Sequence, residues 1–318
     1  MKSYLLPQTN VEISRLAYGC MNLGGSWGPE PPAGATLSQA ARLIDMACEL
    51  GITLFDHADI YTRGKSELVF GQWLGQRPGR RTQLIIQSKC GIRFRDEPRP
   101  GLPQRYDFSY EHIIQSVEGS LRRLQTDYLD ILLLHRPDPL LEPEEVARAF
   151  DQLYHSGQVR HFGVSNHTAA QIALLQSYVN QPLVVNQVEL NLLHNYLIGD
   201  GILANQTANR YVAAGGTLDY CRQHNILVQA WAPVAGGRLF APAGTPLPDL
   251  ITQMAADKGT SPEAIALGWL LRHPAGIQPI IGTTNPERLQ ASCQADSLNL
   301  SREEWYELFI AAKGQPLP

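Results

Sequence analysis

The 318-residue chain has no Lys/Arg run, its formal net charge is -4, and no window approaches about 18 uninterrupted apolar residues. Nucleic-acid binding and membrane spanning are therefore not expected. Its five cysteines, Cys20, Cys48, Cys90, Cys221 and Cys293, are odd in number, widely spread and without a C-x-x-C pair. That pattern excludes a disulfide framework and a zinc ribbon and leaves reduced thiols. The N-terminus, Met1-Lys2-Ser3-Tyr4-Leu5-Leu6-Pro7, lacks the apolar stretch of about 7 to 15 residues that marks a signal peptide, so a cytoplasmic location is expected. No low-complexity tract or charged linker divides the sequence, and no G-x-G-x-x-G follows the first apolar run. The second absence argues against an open doubly wound sheet built for a dinucleotide.

What the sequence does contain is alternation. Short apolar runs at Leu16-Tyr18, Ile52-Phe55, Leu84-Gln87, Leu129-Leu134, His161-Val164, Val184-Asn186, Leu227-Ala230 and Pro279-Ile281 read as strands. Helical periodicity follows near 37–50, 65–75, 110–124, 143–156, 168–178, 216–224, 248–257 and 286–294. Gly51 and Gly157 suit left-handed positions at helix C-termini, and Thr260-Ser261-Pro262-Glu263 suits a capped helix start. Eight parallel strands with helical crossovers bury both sheet faces and can close without an edge, and such a barrel takes about 250 residues. The expectation is a single (β/α)8 TIM barrel domain over residues 1–318, with a small hairpin before Leu16 closing the bottom. Three stretches are longer than a bare barrel needs, Arg95–Phe108, Leu193–Arg210 and Gly236–Pro248, and their Arg, Pro and Tyr content suits substrate cover as well as plain surface loops.

Polar side chains just beyond the strand C-termini share the barrel mouth. The second, third and fourth strands bring Asp56, Tyr61, Lys89 and His135 there. An isolated phenol, with a pKa near 10, is a poor acid at neutral pH, but an adjacent ammonium favours the phenolate. Asp56 would hold Lys89 charged, His135 would orient a carbonyl, and Tyr61 would give its proton to an oxygen gaining negative charge. Each residue alone also has a plain structural role: Asp56 as a cap, Tyr61 as a surface aromatic, Lys89 as a rim cation, His135 as a core imidazole. Later strands supply Ser165, Asn166 and Gln187, suited to a carboxamide, and the flat ring of Trp231. Ala235-Gly236-Gly237-Arg238 can turn backbone N–H groups toward a pyrophosphate, and Gly282-Thr283-Thr284-Asn285-Pro286-Glu287-Arg288 opens a helix whose N-terminus favours a phosphate.

The segments Phe55-Asp56-His57-Ala58-Asp59-Ile60-Tyr61, Ser88-Lys89-Cys90-Gly91, Leu133-Leu134-His135-Arg136-Pro137, Gly163-Val164-Ser165-Asn166 and Ile281 to Arg288 resemble the aldo-keto reductase superfamily in order and spacing across nearly the whole chain. Within it they look most like bacterial oxidoreductases close to the potassium-channel β-subunit branch. The resemblance implies a barrel that binds NADPH, with NADH the weaker fit, and reduces aldehydes or ketones to alcohols, a small-molecule carbonyl being the substrate. It makes Tyr61 the proton donor tuned by Lys89 and Asp56, with His135 on the carbonyl. Cys20 and Met21 would border the nicotinamide, Ser165, Asn166 and Gln187 grip its carboxamide, and Trp231, where many members have Tyr, stack on it. Ala232, Pro233, Val234, Ala235, Gly236, Gly237 and Arg238 would follow the pyrophosphate. Gly282, Thr283, Thr284 and Arg288 would surround the 2′-phosphate, although Gly282 stands where many members have Lys. Met21, Trp27, Tyr61 and His135 would line the substrate pocket.

Two other classes fit parts of the pattern. A barrel that binds NADP(H) as a redox sensor or subunit with little turnover would not require a tuned phenol. A barrel metallohydrolase would use His57, Asp59, Lys89 and His135, but would carry a His pair after the first strand, where this chain has Gly19-Cys20-Met21, so no metal is expected. No residue-level signature sets the oligomeric state.

Overall fold

The computed structural model describes residues 1–202, 215–240 and 244–318. Strands β1 (Ser3–Leu5) and β2 (Glu12–Ser14) pair antiparallel. There follow β3 (Ala17–Gly19), α1 (Gly34–Glu49), β4 (Leu54–Asp56), α2 (Lys65–Gly75), β5 (Ile85–Cys90), a ribbon of β6 (Ile92–Arg93) and β7 (Arg105–Tyr106), α3 (Tyr110–Leu124), β8 (Leu129–Leu134) and α4 (Pro143–His155). The second half runs β9 (Val159–Ser165), α5 (Ala169–Gln176), β10 (Leu183–Glu189), α6 (Tyr196–Ile202), α7 (Thr217–Gln223), β11 (Leu227–Trp231), α8 (Pro246–Asp257), α9 (Pro262–Leu271), β12 (Gln278–Ile281), α10 (Pro286–Cys293) and α11 (Arg302–Lys313). Strands β3, β4, β5, β8, β9, β10, β11 and β12 close in that order into a parallel barrel, as the alternation predicts.

Because successive strand residues face opposite ways, each strand divides into an inward and an outward set. Outward residues such as Phe55, Ile86, Leu132, Leu134, Phe162, Val164, Val228 and Ala230 are buried in the layer shared with the helices. Inward residues Ala17, Leu54, Ile131, Leu133, Val185, Leu227 and Ile280 form a second apolar cluster with Leu6 and Ile13 of the hairpin, both fully buried. The hairpin therefore plugs the barrel bottom, and the inward side chains Asp56, Gln87, Lys89, His135, Ser165, Gln187, Gln229 and Gln278 form a buried polar set above it.

Local chemistry sets the element ends. Gly51 and Gly157 take φ of +84° and +73°, closing α1 and α4 as expected. Ser261 accepts from the Ala264 N–H at the start of α9 with Pro262 beside it. Helix α11 was not among the expected elements, yet its signal is a capping box: Ser301 accepts from the Glu304 N–H while Glu304 accepts from the Ser301 N–H. Its Trp305 stacks on Trp269, ring centroids 5.2 Å apart, sealing the outer face of α9. The long stretch after β5 holds the ribbon, and the one after β10 holds α6, with 203–210 outside the described residues. In the third long stretch 241–243 are likewise outside them.

Phe162 on β9 stacks on Phe150 of α4 at 4.1 Å, and both are fully buried. Phe162→Ala is expected to lower unfolding free energy by about 3–5 kcal/mol, read from urea denaturation, because the cavity lies between two elements that cannot collapse onto it.

Candidate active site

Strands β4, β5 and β8 end at one point of the mouth, and parity carries Asp56, Lys89 and His135 inward. The buried Lys89 ammonium has three donors and spends each one: on Asp56 Oδ2 at 2.8 Å, on the His57 carbonyl at 2.9 Å and on the Tyr61 hydroxyl oxygen at 2.8 Å. Since the Tyr61 oxygen accepts from Lys89, its own proton is free to point into the cavity. The Tyr61 ring meets His135 edge-on, centroids 5.9 Å apart.

Electrostatics assign the protonation states. Burial, the largest influence on Lys89, disfavours its charge, but Asp56 and Tyr61 outweigh it and raise its pKa. Burial likewise dominates at Tyr61 and raises the phenol above its ordinary value; Lys89 pulls it down without cancelling the rise. The expectation of a net-lowered phenol is thus reversed, because desolvation of the buried hydroxyl is stronger than the ammonium. Burial, then Lys89 and Arg136, push His135 well below its usual value, so its imidazole is neutral. Its Nδ1 is buried without a partner, which leaves Nε2 as the nitrogen toward the cavity.

Asp56 also accepts, at Oδ1, from the side-chain amides of Gln87 at 2.6 Å and Gln187 at 2.9 Å. Gln87 was not among the expected site residues. Counting back two positions from Lys89 along the strand would have found it.

The amide-rich set is present, with its donors already used. Ser165 gives its hydroxyl proton to the Gln187 carbonyl at 2.8 Å. Asn166, at φ +62°, donates to the His135 carbonyl and to Ser165 Oγ, and its Oδ1 receives the Trp231 indole N–H at 3.0 Å. Asn166 therefore fixes the plane of Trp231, whose ring also lies 5.5 Å from the Arg136 guanidinium carbon.

A cavity of about 680 Å³ opens from these residues. Met21, Trp27, Asp56, Tyr61, His135, Ser165, Gln187 and Trp231 line its catalytic end. Ala232, Pro233, Val234, Gly236 and Gly237 continue it, and Gly282, Thr283, Thr284 and Arg288 line its far side. Gly236 and Gly237 have φ of +65° and +90°, which favour glycine, and a Cβ at either, or at Gly282, would meet nothing within 4 Å. The backbone thus borders open space. The exposed Arg288 side chain has no ion-pair partner among the described residues, and Asn285 caps α10 beside it. A flat ring, bare backbone and an unpaired cation in series fit an extended dinucleotide phosphate.

Four expected contacts, Cys20, Asn166, Ala235 and Arg238, are not among the residues that line this cavity. Cys20 faces outward by strand parity, buried in the helix layer with its thiol 3.7 Å from the Tyr18 carbonyl. Ala235 is buried, and Arg238 is exposed with its Nε on the Ala235 carbonyl. Ile60, Ile92, Arg136 and Phe240 line the cavity and were not anticipated. His57 is buried with its ring edge-on to Phe70 at 4.7 Å, its pKa pushed down to about 3 by burial and by Lys89. Among the described residues no three His, Cys, Asp or Glu side chains converge as a metal site, and no helix is long and apolar enough to cross a membrane.

The Aldo/keto reductase family model matches residues 15–312. The chain is 37% identical to the uncharacterized oxidoreductase YcsN of Bacillus subtilis over 97% of both chains. It is 35% identical to a 6-dehydroglucose reductase of Agrobacterium fabrum over 96% of both. It superimposes on the crystal structure of the thermostable aldo-keto reductase Tm1743, solved with the inhibitor epalrestat, with a TM-score of 0.78 and 25% identity, covering 98% of this chain and all of that one. With the family's model spanning the barrel and relatives named as oxidoreductases along its whole length, the chain belongs to the aldo/keto reductase family.

Proposed function

We propose that the protein is an NADPH-dependent reductase of aldehydes or ketones in which Tyr61 is the general acid, the 318 residues acting as one domain. The observation that carries this reading is the Lys89 ammonium bridging Asp56 Oδ2 and the Tyr61 oxygen at the cavity wall. A bound reduced nicotinamide supplies the hydride. Trp231, steadied by Asn166, would lie along the ring, and Gln187 would face the carboxamide. Gly236 and Gly237 would admit the pyrophosphate, and Arg288 with Thr283 and Thr284 would meet the 2′-phosphate, where a guanidinium gains charge-assisted hydrogen bonds. Neutral His135 offers Nε2 to the carbonyl oxygen without competing for its proton, and Tyr61 transfers that proton as negative charge develops. Lys89 holds the phenol in place and stabilises the phenolate left behind, while Asp56 keeps Lys89 charged.

The test is fluorescence titration with NADPH and with NADH, followed by 4-nitrobenzaldehyde while absorbance of the reduced nicotinamide is recorded. NADPH binding and aldehyde-dependent oxidation are expected. Binding without turnover would instead favour a sensor or subunit, and absence of binding would overturn the cofactor assignment. Tyr61→Phe is expected to lower kcat by roughly 10²- to 10⁴-fold while cofactor affinity stays within about twofold.

The pH profile follows from the same pair. Because burial raises the Tyr61 pKa, activity should hold through neutral pH and fall on an alkaline limb as the phenol loses its proton. Lys89→Met removes the cation that favours the phenolate, so the limb should move to higher pH while the plateau drops; a limb moving to lower pH would contradict the tuning role.

Arg288→Ala should weaken NADPH about tenfold with little effect on NADH, the difference being one charge-assisted contact. Equal losses would remove Arg288 from the 2′-phosphate.

A further inference from the structure

Strand register brings five polar side chains to one layer inside the barrel. Asp56 on β4 is the register partner of Gln87 on β5, Gln187 on β10 partners Gln229 on β11, and Gln229 partners Gln278 on β12. All five are at most 2% exposed. Gln278 Nε2 donates to the Ser14 carbonyl at 2.6 Å, and Gln229 Nε2 donates to Gln278 Oε1 at 2.9 Å. Gln229 Oε1 then receives both Gln87 Nε2 at 2.8 Å and Gln187 Nε2 at 3.1 Å, the same two nitrogens that donate to Asp56. The chain of amides crosses the barrel from the closing hairpin to the catalytic carboxylate.

Both ends of this chain are pure acceptors, a backbone carbonyl below and the ion-paired carboxylate above. Ser14 thus forces the Gln278 nitrogen downward, which turns its oxygen to Gln229 and requires the Gln229 nitrogen there. The Gln229 oxygen must then face Gln87 and Gln187, which present nitrogens to it and to Asp56. Reversing any one amide would set oxygen against oxygen or nitrogen against nitrogen among buried side chains, a cost comparable to a lost buried hydrogen bond at each end. Gln187 is left with both N–H groups spent and its oxygen toward the cavity. Ser165 and Asn166 have also spent their donors, so this wall offers acceptors only.

We propose that Gln229 is a positioning residue that locks the Gln187 amide with Oε1 facing the cavity, and that this acceptor selects the carboxamide NH₂ of the nicotinamide. The proposal rests on the cofactor reading above. Gln229 touches neither cofactor nor substrate; it acts through Gln187.

The experiment compares dissociation constants of wild type and Gln229→Met for three probes: NADP⁺, its 3-acetylpyridine analogue, which lacks the NH₂, and 2′,5′-ADP, which lacks the whole nicotinamide end. Wild type should prefer NADP⁺ to the acetyl analogue by about tenfold. Methionine matches the length of glutamine but cannot hold the amide, so the preference should fall to about twofold or less while 2′,5′-ADP affinity is unchanged. Retention of the full preference, or an equal loss for 2′,5′-ADP, would overturn the positioning role. A wild type that binds 2′,5′-ADP yet does not distinguish the two dinucleotides would overturn it and leave the cofactor assignment standing, whereas failure to bind any probe defeats that assignment first. If Gln229→Met does not fold, Gln278→Met, one amide further from the cavity, must show the same loss of preference, and its failure to do so overturns the proposal.

Discussion

Asp56 is the acceptor on which the polar interior of the barrel converges. One oxygen holds the Lys89 ammonium and the other holds two glutamine amides, all in a layer at most 2% exposed. A buried ion pair of this kind contributes little net stability, because desolvating both charges offsets their attraction, yet removing either partner strands the other at about 3–5 kcal/mol. The pair is therefore better understood as a positional device. It keeps Lys89 where its third donor meets Tyr61, and it supplies the fixed polarity to which the amides align.

The same desolvation sets the division of labour at the mouth. Burial raises Tyr61 and lowers His135, so the phenol keeps its proton and the imidazole lacks an extra one. Two groups that in water would titrate several units apart are pushed further from each other, which gives one acid and one neutral hydrogen-bonding partner at the same carbonyl. Lys89 lowers the pKa of both: it eases phenolate formation and discourages an imidazolium.

Below this layer the barrel is conventional. Leu6 and Ile13 from the hairpin fill the bottom, and the inward Ile, Leu and Val residues of five strands pack above them. The Ser14 carbonyl, directly after Ile13, is where the apolar plug meets the amide chain. A change in the hairpin could thereby reach the cavity through a sequence of directional bonds, whereas the apolar packing on either side transmits no such orientation.

The sequence by itself determined the period: apolar runs of strand length between helical stretches made the eight-stranded barrel legible, and Asp56, Tyr61, Lys89 and His135 were readable because each lies at or just beyond a strand end. The capping box at Ser301 and the glutamines two residues before Lys89 and Trp231 were equally present in the letters. A glutamine in an apolar run has no meaning until the inward face of the strand is known, and a serine before glutamates none until a helix is known to start there. Only the tertiary structure decided that Cys20 faces the helices, that Asn166 serves Trp231, and that the phenol rises in pKa. Facing, hydrogen-bond satisfaction and desolvation depend on which strands become neighbours and how much water they exclude, and neither quantity is local in sequence.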